Sequence, residues 1–158
     1  RMTVSLPINE YAKELNVYDE KLYRALVLGN LIAFHQKNGI GRLSAYCGAV
    51  SAGCAAGCGI AYLYGADYEC IAHTIVNSLA ITSGIICDGA KSSCAAKIAA
   101  SVDAGILGYK MYLDGQEFKD GDGIVVKGVE NTIRNVARLG KEGMKETDKE
   151  IIKIMTNC

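Results

Sequence analysis

Tryptophan is absent from this chain, proline occurs once, and neither sign of charge is in excess, since 17 Lys and Arg balance 17 Asp and Glu. The scarcity of proline, beside abundant alanine, argues for helices and against the turn-rich strands of a sandwich or barrel. The charge balance removes the net field that would recruit nucleic acid or an anionic membrane surface. An initiator methionine and a signal-peptide pattern are both missing, and the chain opens in mid-stride at Arg1. The expectation is therefore a piece of a longer protein, with residues 1–158 folded as one all-α domain.

Cysteine is the residue present in excess, with seven in 158 residues. An odd number in a chain that is neither short nor loop-rich argues against a secreted disulfide framework. Free thiols in a reducing cytoplasm fit better. Cys47, Cys54, Cys58 and Cys87 sit in apolar, Gly- and Ala-rich surroundings that read as core helices. A buried cysteine is commonly just a small hydrophobe, so packing and ligation are both open readings for each of them.

Periodicity predicts a compact bundle of about five to six helices. Residues 19–38 read as the first, capped by Asp19, with Leu22, Ala25, Leu26, Gly29 and Ala33 at helical spacing and Gly39 at its end. No charge appears between Arg42 and Asp67. A membrane hairpin over residues 43–87 is one reading of that stretch, but Gly, Ala, Ser and Cys insert poorly into lipid. A helix buried among close neighbours is the better one. Asp67 opens a helix from Tyr68 to about Thr82, and Ser83-Gly84 breaks it before the irregular Ile85–Gly89 segment. A long helix follows from about Ala90 to Leu113, with Ala95, Ile98, Ala99, Val102 and Ile106 on one face. Gly115–Gly128 is a glycine-studded connection with a turn at Asp120-Gly121-Asp122-Gly123. Two shorter helices, about Val129–Leu139 and Glu146–Met155, complete the bundle.

Geometry narrows which thiols can share a metal. Cys47, Cys54 and Cys58 fall on nearly one face of a single helix, but Cys47 and Cys58 would stand roughly 16 Å apart along it. Cys87 lies in the break between two buried helices, where a side chain can be aimed at a ligand. Cys94 follows in the first turns of the next helix. Thiolates select zinc or iron–sulfur clusters, yet none of the tight spacings of zinc ribbons or ferredoxins is present. Residue chemistry alone reaches a candidate thiolate site near the Cys87 segment and stops there.

The run Ile86-Cys87-Asp88-Gly89-Ala90-Lys91-Ser92-Ser93-Cys94 resembles the alpha-chain domain of the iron–sulfur L-serine dehydratases, most closely their L-cysteine desulfidase branch. The resemblance extends over Gly41–Gly48, His73–Asn77, Gly121–Val125 and Glu146–Ile152. It implies a 4Fe–4S cluster held by Cys47, Cys87 and Cys94, with one iron left open as a Lewis acid and no pyridoxal phosphate. The implied reaction is β-elimination on L-cysteine or L-serine, yielding pyruvate, ammonium and either hydrogen sulfide or water. Asp88, Lys91, Ser92 and Ser93 are candidates to orient the cluster or bind substrate. Cys158 is a candidate fourth ligand of the resting state. His73 and Asn77 are expected to be a satisfied core pair, while Cys54, Cys58 and Cys70 are expected to be structural.

Members of that family are longer, so the chain is expected to be their C-terminal part. The catalytic base would lie in the N-terminal portion, and apolar surface left by its absence would favour self-association, as in a homodimer. The competing reading is a non-catalytic helical interaction domain, with buried free thiols or a structural metal.

Overall fold

A computed structural model describes residues 2–156, which form seven α-helices: α1 (Met2–Glu14), α2 (Asp19–Ile40), α3 (Gly48–Leu63), α4 (Tyr68–Thr82), α5 (Ser93–Leu113), α6 (Val129–Arg138) and α7 (Lys145–Thr156). A π-turn, Leu139–Gly143, joins α6 to α7. Among these residues the sole β-type pairing is one antiparallel bridge, Tyr46 with Ile86. The all-α expectation holds. The extra helix is α1, where Pro7 lies inside the helix at a point where proline ordinarily removes a bond and crowds the preceding turn. Packing overrides that penalty: Val4, Ile8 and Ala12, four residues apart, are all buried.

The uncharged stretch becomes α3, the central rod, against which α1, α2, α4 and α5 all pack. No helix of the described residues is long and apolar enough to cross a membrane, so the membrane-hairpin reading falls. What the small residues of α3 do is let backbones touch. A Cβ on Gly53 would stand 2.3 Å from the Ser101 carbonyl carbon, and one on Gly57 would stand 2.4 Å from that of Gly105. The face of α5 turned inward is accordingly Ser101, Ala104, Gly105, Gly108 and Tyr109, and the Ala95–Ile106 face picked out by periodicity is less buried. Closest approach of two backbones, rather than hydrophobicity, selects the contact face.

Two boundaries also differ from expectation. Helix α2 passes through Gly39 and ends at Gly41, whose φ of 96° supplies the left-handed exit. Helix α5 begins at Ser93 rather than Ala90, leaving Asp88–Ser92 as loop. The turn at Asp120–Gly123 is present as read: Asp122 accepts from the Lys119 N–H, Asp120 from the Lys127 N–H, and Gly121 and Gly123 have positive φ.

Candidate functional site

The residues before α3 and those after α4 meet as a two-stranded staple. The Cys47 N–H donates to the Ile85 carbonyl at 3.1 Å, and the Cys87 N–H donates to the Ala45 carbonyl at 2.6 Å. Alternation about the Tyr46–Ile86 bridge turns Cys47 and Cys87 to one face of this short ribbon, diagonal to each other. Cys47 is also the N-cap residue of α3 and is buried. Cys94, second residue of α5, accepts from the Lys91 N–H and points its thiol at the Gly89 carbonyl, both at 3.4 Å. The loop thus folds back at Gly89, whose φ is 90°.

Cys47 senses the other two thiols. Burial pushes the Cys47 thiol up, and Cys87 and Cys94 raise it further; the Ala49 backbone N–H and the Lys97 ammonium pull it down. The remaining cysteines lie elsewhere. Cys54 and Cys58 are fully buried in the middle of α3, and Cys70 is buried under α5 at the far end of the bundle. All six cysteines among the described residues are free thiols. Cys158 lies outside the described residues.

Sequence reasoning missed Lys97, one turn into α5. Its ammonium donates to the Ile86 carbonyl at 3.0 Å and to the Asp88 carboxylate at 2.5 Å. That bond, above all, holds the Asp88 carboxyl below the usual carboxylate range and raises the lysine. Lys97 therefore ties the residues on both sides of Cys87 to the helix that carries Cys94. Lys91, Ser92 and Ser93 are exposed around the same loop, and neither serine makes a side-chain hydrogen bond to cap α5 in the described contacts. The available signal for Lys97 was its spacing, three residues after Cys94 and so on the same helix face.

The Cys47 side is held from below. The Ser44 hydroxyl donates to the Gly140 carbonyl at 2.6 Å and accepts from the Tyr46 N–H at 2.9 Å. Gly140 sits in the π-turn, and a Cβ there would come within 3.1 Å of Ile40 and Tyr46. A π-turn is rare, and where it occurs it is often beside a functional site; here it lets the chain approach the Cys47 segment. Helix α7 leaves from that turn and brings the Met155 methyl beside Gly89.

His73 and Asn77 divide into two roles. Asn77 is fully buried and joins three segments, donating to the Gly108 carbonyl at 3.1 Å and accepting from the Phe118 N–H at 3.0 Å. His73 instead stacks on Tyr112 with ring centres 5.0 Å apart, and its Nδ1 lies 2.8 Å from Glu117. It stands nine residues from the end of α4, about 13 Å of helix rise away from the Cys87 segment.

The donor set suits an iron–sulfur cluster. Among the described residues no three His, Cys, Asp or Glu side chains converge on a single ion. A cube-shaped cluster does not ask for that, because each thiolate takes a different iron. Three free thiols from two neighbouring segments, with one fixed cation beside them, are the soft and charge-compensated surroundings such a cluster requires. The Tyr46 hydroxyl, on the other face of the ribbon, is buried without a hydrogen-bond partner among the described residues.

A UPF0597 protein of Desulfitobacterium hafniense is 69% identical over 156 residues, covering 99% of this chain and 36% of the relative. One from Lachnoclostridium phytofermentans is 60% identical, covering 99% of this chain and 37% of the relative. One from Treponema denticola is 48% identical, covering 98% and 36%. The chain thus spans little more than a third of the length of these curated relatives. No solved structure matches it. Residues 3–153 match the serine dehydratase alpha chain, and the chain belongs to that family.

Proposed function

We propose that this chain is the cluster-holding part of a pyridoxal-independent lyase acting on L-cysteine or L-serine. The observation that carries the proposal is the backbone staple that sets Cys47 beside Cys87, with Cys94 folded back against the same loop. Cys47, Cys87 and Cys94 would hold a 4Fe–4S cluster. Bound there, the cluster supplies a Lewis-acidic iron for the departing β-thiol or β-hydroxyl.

The chain's own residues supply position and charge. The α5 N-terminus offers the positive end of a helix dipole to an anionic group, and Lys91, Ser92 and Ser93 stand exposed around it. These are suited to the substrate carboxylate. Asp88 is held by Lys97 and serves the loop rather than the substrate. The α-proton and the β-substituent leave together, and the resulting enamine tautomerises and hydrolyses to pyruvate and ammonium. The base that takes the α-proton belongs to the region of the longer polypeptide outside these residues. In this reading the chain is the C-terminal part of that polypeptide, working in the cytoplasm.

The test is release of pyruvate and sulfide from L-cysteine, and of pyruvate from L-serine, by the full-length polypeptide loaded with iron and sulfide under anaerobic conditions. Activity is expected for the wild type and none for Cys87→Ala. Turnover that survived the loss of Cys87 would overturn the mechanism, and a colourless, iron-free wild type would favour the non-catalytic helical domain.

Lys97 provides a separate check. Lys97→Met is expected to weaken cluster retention about 10- to 100-fold, the usual effect of removing a group that orients a metal ligand, while Lys97→Arg keeps most of it. The readout is iron per chain after a chelator challenge, with helix content unchanged by circular dichroism. Equal retention by all three proteins would show that the lysine does not position the Cys87 loop.

A further inference from the structure

Helix α2 is apolar on two sides. Its inner side buries Ala25, Gly29, Gln36 and Ile40. Its outer side carries Tyr23, Val27, Leu31 and Phe34, recurring at helical spacing and 61%, 58%, 61% and 64% exposed. A contiguous exposed apolar stripe of this kind marks a contact surface. Tyr23, Val27 and Leu31 of the stripe form one wall of an open groove of about 950 Å³, whose other walls are Tyr68, Ile71 and Ile75 of α4 and Ile133 of α6. Tyrosine is the residue type that most often anchors such contacts, through large area at small entropic cost.

The rim narrows the occupant. Glu20, Asp67 and Glu130 border the groove, against one permanent cation, Arg24. Glu20 pairs with Arg24 at 2.7 Å, and Glu130 meets His35 at 2.8 Å across the groove's end. A second copy docked by a two-fold axis would set one acidic rim against another. The relatives offer a different occupant: they align along 98–99% of this chain yet carry most of their length outside it. We propose that the groove seats an amphipathic helix from that additional polypeptide, with its apolar stripe against Tyr23, Val27 and Leu31 and with Lys or Arg flanking the stripe. Helix-in-groove docking of this kind reads apolar anchors one turn apart. The inference holds whether or not the cysteines carry a cluster.

Photo-crosslinking in the full-length polypeptide tests it. Benzoylphenylalanine is placed at Leu31 or, in a second variant, at Tyr23, with a control at the exposed Glu10 of α1. The expected result is a product within one chain, joining α2 to a peptide outside the 158 residues, from both groove positions and lost at Glu10. A product joining α2 of one chain to α2 of another would show a second copy in the groove and overturn the proposal. So would the absence of product at both groove positions, which would mean that the stripe faces water.

Discussion

A chain carrying Gly57→Ala is expected to lose about 3 kcal/mol of stability, the upper part of the range for overpacking a close-packed interior. For a chain of this length that corresponds to a fall in melting temperature of roughly 6–12 °C. The reason is local and steric. The added methyl would stand 2.4 Å from the Gly105 carbonyl carbon, which is backbone and cannot rotate aside, so α3 and α5 must separate. Gly53→Ala, at 2.3 Å from the Ser101 backbone, should behave alike. Gly48→Ala is the control: nothing lies within 4 Å of the place its methyl would take, and it sits in the first turn of α3. That change should be neutral or slightly stabilising, as alanine is the better helix former. Equal melting temperatures for Gly57→Ala and Gly48→Ala would refute the backbone contact as the organising feature of the bundle.

Anaerobic reconstitution of the full-length polypeptide with iron and sulfide is expected to give about four irons per cluster-bearing chain and broad visible absorption. Both should be lost in Cys47→Ala, Cys87→Ala and Cys94→Ala, each of which removes one corner ligand. Cys70→Ala should keep its iron, because that thiol is buried at the opposite end of the bundle. Retention of the full iron content by any one of the three variants would remove that cysteine from the ligand set. Loss in Cys70→Ala as well would point to general unfolding, which circular dichroism of the same sample would reveal. The two predictions are linked through α3. Its glycines position the rod against α5, and its N-terminus holds Cys47 where the loop entering α5 can reach it.

Much of this was legible in the order of the residues. Helices α4 and α6 lie where apolar spacing and the Asp67 cap put them, since a cap and a break are decided by groups a few residues away. The break at Ile85–Gly89 could be read from glycine and from the resemblance of its motif, but its continuation to Ser92 could not, since α5 was expected to begin at Ala90. Helix α1 was not legible, because Pro7 argues locally against a helix and only burial of Val4 and Ile8 outweighs it. The inner face of α5 was misjudged for a similar reason: periodicity finds the most apolar stripe, whereas the observed face is the narrowest one.

By itself, then, the sequence determined the helical class, the family and which thiols are candidates, because periodicity, caps and motif spacing are short-range properties of the chain. Tertiary structure alone decided that Cys47 and Cys87, forty positions apart, share one hydrogen-bonded ribbon, that Lys97 locks it, and that Gly140 supports it from a π-turn nearly a hundred residues away. Those relations depend on how closely α3 and α5 can approach and on where the chain returns after α6. No local pattern encodes them, because each is a contact between segments whose meeting is settled by packing of the whole core.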